Sequence, residues 1–141
     1  MLKLIPWEQA AMLLESQPLS AKKETVPLEE AQDRVLAEEI RAAFPMPPFD
    51  KSPFDGFAFR AEDVPGELTI RGESAAGCRS LEPLLPGTAM RIFTGAPVPE
   101  GADCIIMQED TDYGMETVNI YRALRHLQNY CFAGEDYKKG T

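Results

Sequence analysis

The chain has 141 residues, 44% of them hydrophobic, and carries 23 acidic against 14 basic side chains for a net charge of −9. So acidic a surface repels phosphate backbones and argues against nucleic acid as a partner. No apolar run approaches the roughly 20 residues that span a membrane, and Pro6 and Glu8 interrupt the apolar N-terminus before it can form a signal-peptide core. Cys78, Cys104 and Cys131 are odd in number and far apart, so they give neither a disulfide framework nor a metal knuckle, which favours the cytoplasm. A single histidine, His126, leaves little material for a zinc site or a Ser-His-Asp triad.

In chain order, Pro6 to Ser16 reads as a helix. Pro6 suits the first turn, Trp7, Ala10, Ala11, Leu13 and Leu14 form an apolar stripe, and Gln17-Pro18 ends it. Lys22 to Val26 is an extended link. Pro27-Leu28-Glu29-Glu30 opens a second, short helix to about Asp33, and the pattern of residues 34–43 allows helix or strand. A domain boundary is expected near Phe44 to Pro48, where proline density rises. From Phe57 onward the pattern is β. Strands are predicted over Phe57–Arg60, Leu68–Glu73, Thr88–Phe93, Cys104–Gln108 and Thr117–Tyr121, with one more over Gln128–Phe132. Ser74 to Pro86 reads as loop and Gly95 to Gly101 as a rigid turn.

Residues 46–60 concentrate the chemistry. Pro47, Pro48 and Pro53 stiffen the backbone, and Asp50, Ser52 and Asp55 place three oxygen-bearing side chains within six positions. Asp55-Gly56 is a tight-turn dipeptide. A carboxylate on so stiff a frame can be a reactive group, or simply an acid satisfying turn amides. Asp50 and Ser52 have the same local use open to them. Thr94, before Gly95-Ala96-Pro97, offers a hydroxyl and nearby N–H groups that could face an anion, or could close an ST-turn. The Phe49, Phe54, Phe57, Phe59 cluster reads as packing around the turn, and His126 as a surface residue without a role.

Three blocks carry a resemblance: Pro47-Pro48-Phe49-Asp50-Lys51-Ser52-Pro53-Phe54-Asp55-Gly56-Phe57-Ala58, then Arg91 to Asp103, then Gly134-Glu135-Asp136. In order and separation they resemble the signatures of the MoeA/gephyrin-E family of molybdopterin molybdenumtransferases. The resemblance implies a mainly β, α+β fold with N-terminal helices, and it favours a strand over residues 34–43. Residues 1–45 would be part of an elongated first (linker and dimerisation) domain, and 46–141 a barrel-like, bifurcated second domain with its exit segment. A pterin-binding α/β domain and a C-terminal β domain would lie outside these residues. It implies molybdenum cofactor biosynthesis, with molybdenum from molybdate inserted into adenylylated molybdopterin and AMP released. The alternative is a non-catalytic binding or scaffold module of the same architecture.

By resemblance Asp55, Thr94 and Asp136 fall on catalytic positions and Ser52, Gly95 and Glu135 on substrate-binding ones. No metal ligand is assigned here; Mg2+ would bind outside these residues. The partners implied are a second copy of the full-length chain and the upstream molybdopterin adenylyltransferase. Asp136 is expected to be mobile without the domain that follows. Two departures stand out. Lys51 occupies a place where the family often has Asn, and Phe54 one where Met is common. Tyr130-Cys131-Phe132-Ala133 replaces a stretch in which many relatives carry arginines.

Overall fold

The computed structural model describes residues 4–18, 21–77 and 82–141. Cys78 and part of the expected loop over 74–86 lie outside the described residues. The backbone divides into two units, Met1–Ile40 and Arg41–Thr141. In the first, α1 (Trp7–Glu15) begins directly after Pro6, as the sequence predicts, and none of its residues is buried. The predicted second helix is a single 3-10 turn, Leu28–Glu30. Asp33 adopts φ 63°, which ends any helix, and no strand forms over 34–43. The apolar residues Val35, Leu36 and Ile40 alternate too irregularly to define a sheet face, and all three are exposed.

In the second unit five strands form one curled, half-barrel sheet in the order β4-β1-β3-β2-β5. They are β1 (Gly56–Phe59), β2 (Gly66–Ser74), β3 (Thr88–Ile92), β4 (Cys104–Met107) and β5 (Thr117–Ile120). Every pair is antiparallel except β2 and β3, which run parallel with a register shift between Ile70 and Glu73. β1 is buried at all four positions because β3 and β4 flank it and its two faces are both covered. Phe57, Phe59, Ile92, Ile105, Ile106 and Ile120 are at most 1% exposed and form the heart of the core. Each such side chain contributes roughly 1.5–3 kcal/mol on burial. The Arg91 guanidinium lies 4.8 Å from the centroid of the Phe57 ring, its cross-strand partner, and Nη2 donates to the Gly114 carbonyl at 2.8 Å.

Asp55-Gly56 is not a hairpin turn, since Gly56 is the first residue of β1 and lies outside the positive-φ glycines. It is small because a Cβ there would meet the Ile106 carbonyl oxygen at 1.8 Å. Residues 128–132 are not a strand. Leu127 and Asn129 adopt positive φ (60° and 61°), and Asn129 Nδ2 instead donates to the Ile105 carbonyl at 2.9 Å, so this segment ties the edge of β4 irregularly.

A loop lock that the residue pattern left unremarked secures β5. Asp112 Oδ1 accepts from the N–H groups of Gly114 and Asn119, and Oδ2 from Asn119 Nδ2 at 2.7 Å. The Asn119 side chain, then its N–H, holds the Asp112 carboxyl below the usual aspartate range. A carboxyl whose folded pKa is depressed adds stability above its unfolded pKa and loses it as pH falls through the folded one. Asp112→Ala is therefore expected to lower Tm by roughly a few degrees at pH 7. The gap to wild type should narrow as pH drops below the usual aspartate range, which thermal melts over a pH series would read.

Candidate functional site

The chemistry-bearing residues gather on a ribbon beside the sheet. Its central segment is 46–52, and it is hydrogen bonded on both sides. Toward 95–98, Val98 N donates to Asp50 O (3.0 Å), Ser52 N to Ala96 O (3.0 Å) and Gly95 N to Ser52 O (2.9 Å). Toward 131–137, Lys51 N donates to Cys131 O (2.9 Å), Gly134 N to Pro47 O (2.8 Å) and Asp136 N to Met46 O (2.9 Å). The prolines make this possible: a segment poor in N–H donors accepts more than it donates, and its neighbours supply the protons. Gly134 is required for a related reason. Its φ is +73°, and a Cβ would lie 3.3 Å from the Pro45 Cβ.

Asp55 closes the arrangement. Its Oδ1 accepts from both the Thr94 N–H (2.8 Å) and the Thr94 hydroxyl (2.7 Å), across 39 residues of sequence. Oδ2 accepts no hydrogen bond among the described residues. The Thr94 hydroxyl, then its N–H, holds the Asp55 carboxyl below the usual aspartate range, so it is ionised at neutral pH. Asp55 is half-buried and Thr94 exposed, so the pair faces outward with one oxygen open.

The sequence-predicted residues therefore divide. Asp55 and Thr94 meet directly, and neither is a local turn residue alone. Thr94 differs from expectation in one respect: both its donors point at Asp55, not at an incoming anion. Gly95 likewise spends its N–H on the Ser52 carbonyl, and its φ of +79° serves the turn. Ser52 is fully buried and its hydroxyl donates to the Phe54 carbonyl at 2.6 Å, so that hydroxyl is a strut rather than a ligand contact. Asp136 is exposed, but its backbone is tethered to Met46 instead of hanging loose. Glu135 accepts from the Phe132 N–H at 3.0 Å and lies against the Cys131 thiol.

Asp50 does more than satisfy a local turn. Its Oδ1 accepts from the Ala133 N–H at 2.8 Å, 83 residues away. The Tyr130 hydroxyl also bonds to its carboxylate; burial first, then that charge and hydrogen bond, push the Tyr130 phenol up. A cavity of about 490 Å³ opens beside this contact, lined by Asp50, Pro97, Val98, Pro99, Glu100 and Tyr130 among others. It includes none of Asp55, Thr94 or Asp136. His126 is exposed, and its Nδ1 lies 2.9 Å from Asp103 Oδ2. The Cys104 thiol is pushed up to about 11, chiefly by burial, which makes it inert at neutral pH. Among the described residues no group of three or more His, Cys, Asp or Glu could hold a metal ion. No described helix is long and apolar enough to cross a membrane.

The comparisons with known proteins agree with this architecture. The chain is 35% identical over 140 residues to the molybdopterin molybdenumtransferase of Staphylococcus epidermidis, covering 94% of this chain and 33% of that protein. It is 38% identical over 131 residues to the enzyme of the same name from Haemophilus influenzae, covering 91% and 32%. The chain thus spans about a third of the length of these curated relatives. The crystal structure of the molybdopterin biosynthesis moeA protein from Pyrococcus horikoshii OT3 superposes with a TM-score of 0.88 at 40% identity, over 99% of this chain and 39% of that one. Residues 5–141 match the model of the MoeA N-terminal region (domain I and II), and the chain belongs to that family.

Proposed function

We propose that this chain supplies the N-terminal part of a molybdopterin molybdenumtransferase, the enzyme that inserts molybdenum from molybdate into adenylylated molybdopterin and releases AMP. The observation that carries the reading is the Asp55–Thr94 pair, an ionised carboxylate held at one oxygen and open at the other on an outward-facing surface. Its depressed pKa decides between two roles. A general base works best with a pKa near the operating pH, and Asp55 lies well below that. Asp55 therefore acts as a fixed negative acceptor that orients a protonated group of the substrate, rather than as a proton shuttle. Activity carried by it should not titrate between about pH 6 and 8.

An open surface cannot exclude water or enclose a pterin by itself. The pterin pocket and any magnesium site belong to other residues of the full-length protein, and a homodimer would complete the site from a second copy. Residues 1–45 then serve the first domain and 46–141 the second. The upstream adenylyltransferase is the natural donor of the adenylylated substrate, and the setting is cytoplasmic. The test is rescue of molybdoenzyme activity in a strain lacking the insertion step. Full-length protein is expected to restore it, and residues 1–141 alone are not. A scaffold module of the same architecture predicts no rescue by either, which would overturn the enzymatic reading.

A further inference from the structure

The ribbon that holds Asp55 has an electrostatic problem if its ligand is an oxyanion. Segments 46–55, 93–98 and 131–138 contain four acids, Asp50, Asp55, Glu135 and Asp136, and two basic residues, Lys51 and Lys138, the second with its Cγ beside Gly134 at the end of the ribbon. Lys51 stands at the middle of the ribbon, paired across its backbone with Pro97 on one side and Cys131 on the other. Residues directly opposite in antiparallel pairs present their side chains to the same face, so Lys51, Pro97 and Cys131 share one. Next along the ribbon Ser52 pairs with Ala96 and Gly95, which brings Thr94 one residue away. Three of the acids are already engaged, Asp50 with the Ala133 N–H, Asp55 with Thr94 and Glu135 with the Phe132 N–H. Lys51 makes no ion pair among the described residues. Its charge is felt at the Cys131 thiol, which burial and Glu135 push up and Lys51 pulls down.

We propose that Lys51 is the anion-receiving residue of this edge: its ammonium, on the face shared with Cys131 and Pro97, draws a small tetrahedral oxyanion to the ribbon. That the oxyanion is molybdate rests on the function proposed above; the position of the positive charge does not. Without this cation the dianion would meet carboxylates at the middle of the ribbon, with Lys138 only at its end. With it, a single charge at about 4–8 Å offsets part of that repulsion, by an amount that salt screens.

Cys131 serves as a built-in reporter. In the full-length protein, alkylation of the Cys131 peptide by anionic iodoacetate and by neutral iodoacetamide is followed by mass spectrometry at one pH. The ratio of the two rates cancels the thiolate fraction and reads the local potential. Lys51→Met is expected to lower the iodoacetate-to-iodoacetamide ratio roughly threefold or more at low salt, and Lys51→Arg to keep it. Millimolar molybdate should slow Cys131 alkylation in wild type and Lys51→Arg but not in Lys51→Met. In the molybdenum-transfer assay Lys51→Met should raise the KM for molybdate with kcat little changed. A ratio indifferent to residue 51, or equal protection by molybdate in the Met and wild-type proteins, overturns the proposal. Failure of transfer in wild-type protein with the Lys51-dependent ratio and protection intact would sink the enzymatic reading and leave the anion site standing.

Discussion

Gly56→Ala is expected to unfold much of the second unit. A Cβ at that position would lie 1.8 Å from the Ile106 carbonyl oxygen, 2.9 Å from its carbonyl carbon and 3.1 Å from the Met107 Cα. All three are backbone atoms of β4, so no side chain can swing aside. Relief requires β1 and β4 to separate, and both are buried strands with Phe57, Ile105 and Ile106 between them and the rest of the core. Overpacking in a close-packed interior typically costs about 1–3 kcal/mol, and one against fixed backbone belongs at or above the top of that range. A loss of about 3 kcal/mol or more is a large share of a small domain's stability, so the variant should melt far below wild type or fail to accumulate as soluble protein. Gly95→Ala is the informative contrast. Nothing lies within 4 Å of its Cβ position, and only the φ of +79° opposes the change. That conformation costs an L-residue roughly 1–2 kcal/mol, so this variant should fold with a modest loss in thermal melts.

The second large effect is catalytic. Asp55→Asn in the full-length protein is expected to lower the molybdenum-transfer rate by about 100-fold or more, the range lost when a fixed polar partner of a reacting group is removed. Stability should barely move. The asparagine carbonyl oxygen can still accept from the Thr94 N–H and hydroxyl, as Oδ1 does now, and the site is open to water. What disappears is the charge, and with it the acceptor strength of the open oxygen. If Asp55 were only a turn acid, the amide variant would keep full turnover. If it were only a structural strut, loss of activity would track loss of folded protein in parallel melts.

The strands were legible because their side chains follow simple patterns. Cys104-Ile105-Ile106-Met107 reads as a doubly buried strand and is buried over its first three residues, with Met107 exposed, and Leu68 and Ile70 alternate with polar neighbours as half-buried β2 requires. Where the reading failed, conformation depended on partners distant in sequence. Residues 34–43 have strand-like composition, but the pairing of Ala42 with Gly140 and Thr141 is too short to make a strand of them. The 128–132 segment is broken by positive φ at Leu127 and Asn129, which no local pattern announces. Asp55-Gly56 looks like a turn because turns use that dipeptide, yet the glycine answers to Ile106, fifty residues on.

The site shows the same division. Asp55 and Thr94 were each legible as candidates. Their direct bond, which commits both Thr94 donors and leaves one Asp55 oxygen open, arises from tertiary pairing of the 50–55 and 93–98 segments. The burial of Ser52 and the long reach of Asp50 to Ala133 were hidden for the same reason. An Asx-type lock at Asp112 was closer to visible, since Asp-Tyr-Gly before a strand is a turn signal.

The account depends on Thr94 fixing Asp55 as an ionised carboxylate. A carbon-detected NMR titration of the Asp55 side-chain carboxyl, in wild type and in Thr94→Val, tests this most directly. The expected result is an Asp55 pKa below that of an ordinary aspartate in wild type, moving up toward it when the Thr94 hydroxyl is removed. An Asp55 that titrates as a free aspartate in both proteins would contradict the arrangement and the role drawn from it.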